Sequence, residues 1–457
     1  MKQINRNNII TILFIAVALS GALNGCNKWK DHNALSDPAS GNDLFQQIQS
    51  TPELSRFAEL LIMSGYDQLI ASSKNYTVFA PVNEALASLD PAVINDTAKL
   101  RLFVGNHISN QLQQTGSDTV LRLPMINGKY NNLLKMQFDE ATITITNKFG
   151  KNGLLHIINK AVPALPNAWE FVQQDPLMPR YQKNALLTLK NSDGNPVFLK
   201  NVYDLSNEKK QYTFFAMADT SWLKELGKYG PFFTTSTVDS TLAYTSMAIV
   251  NDLAIEGVYT PANLPDTILS KFNTKVGIDK NAIVQTVKVS NGIVYLMRKL
   301  PVLPKHKFQP IIIQGENYTS FKIDRRFNTY IRDRFNRVTG KDFRDVLVFG
   351  HGTVEYYLGY RLTNMPAMKY KAYWVALHDN INNNTGTFKQ MLGIGTPTAP
   401  DLKYITVSPN DYNEVPLGEF ELKVFNTSLN VYLTADNNTN SDLNKITVDY
   451  IRLEPDL

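Results

Sequence analysis

The chain is poor in the side chains that most often carry out catalysis or cross-link a fold. Its 457 residues include one cysteine, so no intramolecular disulfide can form, and only six histidines, which are scattered. A histidine-rich metal site would have to be assembled from distant positions, and we predict no metal and no cofactor. The sequence also lacks a Gly-x-Ser-x-Gly elbow, a His-Glu-x-x-His helix and a phosphate-binding glycine loop. These absences argue against an enzyme. The alternative is a glycan-acting hydrolase, because its paired carboxylates need no fixed sequence spacing.

The chain also lacks a large excess of either positive or negative charge. Lys and Arg total 46 against 41 for Asp and Glu, so the chain is nearly neutral for its length. No block of basic residues interleaved with aromatics stands out as a nucleic-acid footprint, and we predict no nucleic-acid partner. The densest basic stretch, residues 325–337, also contains Asp333 and is interpreted as a solvated face.

The amino terminus carries a targeting pattern. Two basic residues precede an apolar run at residues 9–19, and the tetrapeptide Leu-Asn-Gly-Cys ends at Cys26. The run is too short to span a bilayer and is typical of a signal peptide. The tetrapeptide resembles a bacterial lipobox, which implies cleavage after residue 25 and lipidation of Cys26. Several acyl chains on one residue anchor a protein stably. The alternative is a signal peptide that ends in a cysteine by chance.

The residue after the cysteine bears on location. Asn27 stands where inner-membrane lipoproteins carry aspartate. The resemblance therefore implies a lipid-anchored protein of the outer membrane, at the cell surface or the periplasmic face. Residues 26–41 are polar and rich in Asn, Ser, Pro and Gly, and we predict a tether between lipid and folded chain.

Two patterns occur twice, in the same order. The stretch 76–86 reads Tyr-Thr-Val-Phe-Ala-Pro-Val-Asn-Glu-Ala-Leu, and 212–222 reads Tyr-Thr-Phe-Phe-Ala-Met-Ala-Asp-Thr-Ser-Trp. Each is followed by an Asn-Gly pattern, at 152–160 and at 291–299. The chain is long enough for several hydrophobic cores. The paired patterns predict two homologous domains, at residues 42–166 and 167–304.

The first copy of both patterns resembles the fasciclin family. That family carries a strand followed by Ala-Pro-Thr-Asn-x-Ala-Phe and, near the domain end, Asn-Gly-x-x-His-x-Ile-Asp-Lys. The resemblance implies two α+β domains with an adhesion role. The second copy departs from it, with Met217 in place of the proline and Tyr295 in place of the histidine. His107 lies where animal fasciclin domains carry an adhesion Tyr-His pair, and is a candidate adhesion residue. The alternative is a packing histidine, since Asn106 replaces the tyrosine.

Local patterns predict the elements around these motifs. Residues 76–80 are β-branched and aromatic, which predicts a buried strand that ends at Pro81, with Asn83 as the cap of a following helix. Ser50 and Glu53 are spaced as a capping box for an earlier helix. A further helix is expected from about Asp96. Ile143 and Ile145 are expected to point inward from a strand. The proline-rich stretch 163–179 is interpreted as a linker or crossing loop.

The third region, residues 305–457, has a different character. Its short β-rich runs with turn-rich gaps predict an all-β sandwich. The closing stretch 446–455 resembles the last strand of jelly-roll carbohydrate-binding modules. Glu316 stands where such modules often place an acid near a structural calcium, but the match is too short to assign a metal. The predicted strands lie at residues 311–313, 318–323, 346–349, 354–358, 370–377, 404–407, 420–425, 430–434 and 446–451.

The third region also supplies residue types that bind sugars. Sugar rings stack on exposed aromatic rings, and Asn or Asp side chains bind the hydroxyls. Adjacent strand residues point to opposite faces, so only one of each aromatic pair can face inward. The alternative is that the rings serve packing alone. The candidates are the pairs Tyr356 and Tyr357, Tyr373 and Trp374, with Asn383 and Asp436 in loops.

These observations favour a non-enzymatic outer-membrane lipoprotein that acts in adhesion or glycan binding. Its partners would be the membrane, through the lipid, and a glycan or surface protein. One alternative is a structural spacer that displays a protein-binding face. The other is the glycan-acting hydrolase.

Overall fold

The computed structural model describes residues 41–378, 386–398 and 402–457. The chain divides into two compact units, the first ending at Pro166 and the second running from Asn167 to Leu457. The predicted signal peptide, Cys26 and nearly all of the tether lie outside the described residues. Within the described ranges, no helix has the length and apolar character needed to cross a membrane.

The first unit is an α+β domain built on a mixed sheet. The helices are α1 (Leu44–Gln49), α2 (Ser55–Ser64), α3 (Asp67–Ile70), α4 (Pro91–Ile94) and α5 (Thr97–Gly105). The strands are β1 (Tyr76–Pro81), β2 (Ile108–Ser109), β3 (Leu121–Pro124), β4 (Tyr130–Leu134), β5 (Gln137–Phe138), β6 (Ala141–Gly150) and β7 (Gly153–Ile158). In the sheet they are ordered β2-β1-β7-β6-β5-β4-β3.

The two sequence patterns of this unit meet at the centre of the sheet. Strands β1 and β7 pair in parallel, from Tyr76 opposite Gly153 to Pro81 opposite Ile158, and both are buried along their whole length. The predicted buried strand is confirmed. Pro81 ends it, and the next N–H, that of Val82, donates to the Ile158 carbonyl oxygen.

The Asn-Gly pair at the start of β7 has a structural role. Asn152 is buried, and its Oδ1 accepts a hydrogen bond of 2.9 Å from the N–H of Leu44 at the start of α1. Its Nδ2 donates to the carbonyl oxygens of Ile70 and Ser72, which precede β1. One amide therefore joins the first helix, the loop before β1 and the start of β7, and satisfies backbone groups that burial would otherwise leave unpaired.

The second unit begins with another α+β domain. Its helices are α6 (Ala168–Gln174), α7 (Arg180–Thr188), α8 (Val197–Asn201), α9 (Asp219–Tyr229), α10 (Val238–Val250) and, after the domain's last strand, α11 (Pro304–Lys307). Its strands are β8 (Tyr212–Met217), β9 (Ala254–Glu256), β10 (Thr267–Leu269), β11 (Lys275–Gly277), β12 (Ile283–Val289) and β13 (Gly292–Met297). Strands β8 and β13 pair in parallel, with Tyr212 opposite Gly292, in the register of β1 and β7.

The second Asn-Gly pair repeats the role of the first. Asn291 Oδ1 accepts a hydrogen bond of 2.8 Å from the N–H of Ala168 at the start of α6, and Nδ2 donates to Leu205 O. The interpretation of residues 163–179 as a linker is wrong in part. Helix α6 lies in that stretch, because Asn167 and Glu170 form a capping box there.

The polar residue after each β1-type strand caps a neighbouring helix, not its own. The prediction that Asn83 caps a following helix is wrong, because residues 83–86 form a 3-10 turn that contains Asn83 itself. Its Oδ1 instead accepts from the N–H of Arg56 at the start of α2, at 2.9 Å. Asp219 does the same for the N–H of Tyr181 at the start of α7. The repeat therefore conserves a long-range cap that local spacing does not reveal.

Two other local predictions for the first unit are wrong. Ser50 follows α1 instead of opening a helix. The structure has a capping box at the start of α1, where it is formed by Asp43 and Gln46. Ile145 is exposed although Ile143 is buried, because the pairing of β6 with β7 is irregular between them and the alternation shifts. The helix expected from Asp96 is confirmed as α5, with Asp96 as its cap.

Residues 305–457 form an all-β sandwich. The strands are β14 (Ile311–Gln314), β15 (Ser320–Phe321), β16 (Thr329–Asn336), β17 (Lys341–Val348), β18 (Tyr357–Met365), β19 (Lys369–Val375), β20 (Phe388–Ile394), β21 (Ile405–Val407), β22 (Val415–Glu421), β23 (Asn426–Ala435), β24 (Ile446–Val448) and β25 (Tyr450–Asp456). One sheet, called the β25 sheet, has the order β14-β25-β19-β22, and a second, called the β23 sheet, has the order β15-β18-β23-β20-β21. Strands β16-β17-β24 form a smaller sheet. A common core packs between the sheets, and the predicted order of two α+β domains and a sandwich is confirmed.

Strands β16 and β20 were not predicted. The basic stretch 325–337 is not simply a solvated face, since it contains β16, which pairs with β17 along its full length. Asp345 on β17 is buried, and Arg332 on β16 binds it through two hydrogen bonds, of 2.8 and 2.5 Å. Arg334 lies 3.6 Å from the same carboxylate. The carboxylate of Asp345 thus compensates the charge of the two arginines, so a strand rich in basic residues can pair with β17.

Candidate functional site

The structure separates the aromatic pairs predicted to bind sugar. Tyr356 and Trp374 are each only 1% exposed and belong to the sandwich core, so neither can contact a glycan in the folded protein. Their neighbours Tyr357 and Tyr373 are partly exposed. The expectation that one member of each pair faces inward is confirmed. Asn383, like Cys26, lies outside the described residues.

Tyr373 lies on the β25 sheet, and a cation covers its ring. The guanidinium carbon of Arg452 is 4.1 Å from the ring centroid. Arg452 also donates two hydrogen bonds of 2.7 Å to the carboxylate of Glu414, and these bonds hold the pKa of Glu414 below its ordinary value. A sugar could stack on this ring only after the arginine moved, so Tyr373 is a poor stacking surface.

Tyr357 lies on the other sheet, where it meets a second tyrosine. The rings of Tyr357 and Tyr432 contact edge to face, with centroids 5.1 Å apart, on the outer face of the β23 sheet. Their neighbours Leu358 and Leu433 are fully buried, so strand alternation places both tyrosines outward. The structure therefore adds Tyr432 to the candidate residues, a position that the sequence reading missed.

Polar side chains continue this face along β18 and β23. Arg361 is two residues beyond Gly359 and pairs with Asn430 across the strands. Its Nε donates a hydrogen bond of 2.9 Å to Ser428 Oγ. We call Tyr357, Tyr432, Arg361, Asn430 and Ser428 the tyrosine platform. It combines aromatic rings with hydrogen-bonding groups on rigid strands.

Glycine makes room for one ring of the platform. A Cβ atom on Gly359 would lie 3.3 Å from the Tyr432 ring and 2.2 Å from Ser320 Oγ. A side chain at this position would force the Ser320 hydroxyl to rotate and the Tyr432 ring to shift, so the glycine favours a Tyr432 ring that lies across β18. The loop at Thr396 and Pro397 lies against Gly393 of β20 and also contacts β23, where Thr434 Oγ1 donates to Pro397 O. The platform is thus bounded on the β20 side.

Asp436 lies at one end of this face. It follows β23, and its carbonyl oxygen accepts a hydrogen bond from the N–H of Glu355, just before β18. Its carboxylate accepts from the N–H of Asn437 and so shapes the loop. Thr434, two residues earlier, pairs with Tyr357. Of the predicted glycan-binding residues, the structure brings Tyr357 and Asp436 to the same region of the β23 sheet.

Exposed aromatic residues also lie on the hairpin of β16 and β17, and strand alternation places Tyr330 and Phe335 on its opposite faces. Phe327, in the turn before β16, is 97% exposed, and Tyr330 and Phe335 on the strand are also exposed. We call these three residues the hairpin aromatics. Residues 325–337 do interleave three aromatic residues with basic ones, so the expectation that no such block stands out in the sequence is corrected for this stretch. The interpretation of the stretch as a solvated face overlooked these rings.

His107, the candidate adhesion residue, is wholly buried in the first unit. Its Nδ1 lies 2.9 Å from Phe103 O, and its Nε2 accepts from the N–H of Val162 at 3.1 Å. Burial lowers the pKa of His107 to about 4. Both ring nitrogens have backbone partners, so the geometry is that of a packing residue. His156 is likewise buried, next to Phe79.

Acidic groups cluster where β14 meets β25. The N–H of Gly315 donates to Asp449 O, and Oε2 of Glu316 is buried and accepts no hydrogen bond from the described residues. Burial and then the charges of Asp345 and Glu316 raise the pKa of Asp449 to about 7. In the part of the chain that the structure describes, no group of three or more His, Cys, Asp or Glu could hold a metal ion. We assign no metal here.

Comparison with known proteins gives one family match. The family model of the Fasciclin domain matches residues 52–163. No curated protein matches the chain. A solved FAS1 domain pair from the insect cell adhesion molecule Fasciclin I is 18% identical, covering 56% of this chain and 99% of its own, with a TM-score of 0.25.

Solved carbohydrate-binding modules are also among the structures to which the chain is similar. One is the CBM36-1 domain of a multidomain xylanase from the hindgut metagenome of Trinervitermes trinervoides, with 14% identity, 32% of this chain and 98% of that chain covered, and a TM-score of 0.23. Another is a family 35 module from Clostridium thermocellum, with 14% identity, the same coverages and a TM-score of 0.22. The family model thus identifies a Fasciclin domain at residues 52–163, the stretch that contains strands β1 to β7.

Proposed function

We propose that this protein is a non-enzymatic glycan-binding protein of the cell envelope, held at the outer membrane by lipid on Cys26. The observation that carries the glycan proposal is the tyrosine platform. Two partly exposed rings, Tyr357 and Tyr432, lie edge to face at 5.1 Å on the outer face of a sheet. Rings in this arrangement offer an apolar face to the C–H groups of a sugar.

The polar part of the platform supports the same function. Arg361, Asn430 and Ser428 follow the tyrosines along the same face and carry donors and acceptors for sugar hydroxyls. Their position on paired strands, not on a loop, fixes the spacing between ring and hydrogen-bonding groups. A site of this form favours an extended chain over a small buried ligand, because the face is open.

The test is glycan binding by purified protein and matched variants. We expect Tyr432→Ala and Tyr357→Ala each to weaken binding by about 1 kcal/mol or more, in line with aromatic contact energies. Tyr330→Ala, which removes an exposed tyrosine of the hairpin, should leave affinity unchanged. Loss of binding in Tyr330→Ala with full binding in the platform variants would move the site to the hairpin.

The same assay separates binding from hydrolysis. A binding protein retains the glycan and releases no reducing ends during prolonged incubation. Release of sugars from the bound glycan would instead support the glycan-acting hydrolase.

The hairpin aromatics favour a second function, adhesion to a protein partner. Phe327 is almost fully exposed and lies among arginines, and apolar surface rimmed by charge is typical of protein contact sites. This is also the face that a structural spacer would display. Phe327→Ser should reduce adhesion of cells that display the protein and should not change glycan affinity.

The anchor is tested separately. Cys26→Ser should leave the protein unprocessed or soluble, since the only lipid attachment that the sequence predicts is at Cys26. Membrane fractionation decides this. A Cys26→Ser variant that still sediments with outer membrane and is released by detergent would contradict the lipoprotein assignment.

A further inference from the structure

The second unit contains a groove between helix α10 and the sandwich. Its volume is about 880 Å³. One face of α10 lines it, through Ser240, Ala243, Tyr244 and Met247, which recur at the spacing of successive helical turns. The groove lies where the α+β domain and the sandwich meet, and small-molecule sites are common at such junctions.

The floor of the groove is aromatic. Phe425 of the sandwich contacts the ring of Tyr244 at 4.7 Å and that of Phe233 at 5.3 Å, and Phe308 contacts Phe233 at 6.2 Å. Tyr244 and Phe272 line the groove and remain 36% and 45% exposed. Large rings usually bury most of their surface. Apolar surface left open inside a concave site favours an apolar ligand.

The charged residues that line the groove are basic. Lys190 and Lys307 line it, and no Asp or Glu does so among the described residues. Lys307 is paired with the buried Asp252 and donates to Ala248 O, so its charge is largely neutralised. Lys190 is exposed at the rim and has no ion pair with any described carboxylate. The remaining positive charge therefore lies at the rim, outside the apolar floor.

One polar atom beside the groove lacks a partner. Asn251, one turn beyond Met247, lines the groove, and its Oδ1 is buried without a hydrogen bond from any described residue. An unpaired buried amide is costly and is usually satisfied by water or ligand. Because amide oxygen and nitrogen can exchange by rotation, Asn251 can serve as acceptor or donor to a ligand.

We propose that this groove binds a small amphipathic anion, an organic molecule with an apolar chain or ring system and a carboxylate or sulfonate head. The apolar body lies on Phe233, Phe425 and Tyr244, and the head lies toward Lys190 at the rim. The volume is within the range of sites that bury most of a ligand of a few hundred daltons. This site is separate from the tyrosine platform.

The test uses two probes with purified protein. Anilinonaphthalene sulfonate is an aromatic anion that fluoresces in apolar sites, and dodecanoate is an alkyl anion that should displace it. We expect one displaceable equivalent of the dye per chain. Dodecyltrimethylammonium has the same chain and the opposite charge, and should displace the dye at least tenfold less well. Equal displacement by both ions would refute the charge argument.

Variants locate the site. Ala243→Trp places a large ring in the groove and should weaken dodecanoate binding at least tenfold. Leu242→Trp is the matched control, because Leu242 is the neighbouring residue, is 50% exposed and does not line the groove. Lys190→Glu lies on the surface, so folding is not at risk, and it should weaken dodecanoate several-fold and strengthen dodecyltrimethylammonium. Dye displacement that is absent, or unchanged in both Ala243→Trp and Lys190→Glu, would overturn the proposal.

Discussion

Gly153 lies so close to Tyr76 that a Cβ atom added to it would fall 1.9 Å from the Tyr76 carbonyl oxygen. The two residues face each other at the first position of the parallel pair β1 and β7. The same contact recurs in the second domain, where a Cβ on Gly292 would lie 1.8 Å from Tyr212 O. The glycine of the repeated Asn-Gly pattern is therefore a packing requirement of the sheet.

Gly153→Ala should destabilise the first domain strongly. The added methyl meets backbone, which cannot rotate away, so the two central strands must separate. We expect a loss of about 2–4 kcal/mol in the free energy of unfolding, at the upper end for an overpacked site. Denaturant unfolding measures it.

Gly128 provides the control for this substitution. It has a positive φ of +86°, and a Cβ there meets no atom within 4 Å. Gly128→Ala therefore carries only the backbone strain of a left-handed residue, about 1 kcal/mol. A loss in Gly153→Ala no larger than that in Gly128→Ala would contradict the steric explanation.

The repeat and strands β1 and β6 of the first domain could be predicted from sequence, but the short strands β2 to β5 and the roles of the motif residues could not. The β-branched and aromatic composition of a strand such as β1 is sufficient to predict it. The partners of Asn83 and Asn152 lie far away in sequence, at Arg56 and at Leu44 and Ile70. Local spacing suggested a local cap for Asn83. A hydrogen bond to a distant helix is decided by packing, which a sequence window does not contain.

The candidate site, too, could be predicted only in part from the sequence. Alternation along a strand predicts that one of Tyr356 and Tyr357 faces outward, but which one depends on the register with β23. Tyr432 lies between the buried Val431 and Leu433 and could have been found by the same rule. Its contact with Tyr357 could not have been found in this way, because the pairing of β18 with β23 joins residues some 75 positions apart in the sequence.

The stability of the first domain should fall in mild acid because of His107. Its pKa is about 4 in the folded state, lowered from 6.5 by burial. Between these values the unfolded chain binds a proton that the folded chain refuses. The stabilisation is therefore complete above pH 6.5 and is lost as the pH falls toward 4. The shift corresponds to at most about 3 kcal/mol.

Urea unfolding at pH 7 and pH 5 checks this. His107→Gln removes the titrating group, so the difference between the two pH values should shrink, whatever the cost of lost hydrogen bonds at pH 7. His306→Gln removes a histidine of the second unit and should leave the first unit unaffected. An unchanged pH difference in His107→Gln would show that other groups cause the acid sensitivity.

Asp449 should make the folded protein less stable as the pH rises, which is opposite to the effect of His107. Burial first, then the charges of Asp345 and Glu316, raise its pKa from 3.8 to about 7. The folded protein keeps a proton between these values that the unfolded chain has released, so its stabilisation is present below pH 4 and is lost as the pH rises through 7. Asp449→Asn mimics the protonated form. Its stability relative to the parent protein should increase by up to about 4 kcal/mol between pH 4 and pH 8.

Asp456 is the control of opposite sign for Asp449. Its hydrogen bond with Lys371 lowers the pKa of its carboxylate, so its small contribution is lost on acidification. That loss occurs below the ordinary pKa of 3.8, so the stability of Asp456→Asn relative to the parent protein should change little between pH 4 and pH 8, while that of Asp449→Asn should rise. An equally flat result for Asp449→Asn would mean that the pKa of Asp449 is not raised in the folded protein.

The sandwich should depend on the preceding domain through Phe425. This side chain is buried in the core of the α+β domain of the second unit, although it follows strand β22 of the sandwich. Its N–H donates to Thr234 O at 2.7 Å, and its ring contacts Phe233. A second backbone bond joins Ala367 to Phe232. Residues 305–457 alone would therefore expose an aromatic surface that residues 167–457 bury.

Phe425→Ser tests this dependence in two fragments of the chain. In residues 167–457 it removes a buried ring and should cost about 3 kcal/mol, typical of large-to-small core changes. In residues 305–457 the same ring is solvent-exposed, so the cost should be within about 0.5 kcal/mol, and solubility should improve. Equal costs in the two fragments would mean that Phe425 packs within the sandwich. Because the tyrosine platform does not include Phe425, glycan affinity should be the same in all folded forms.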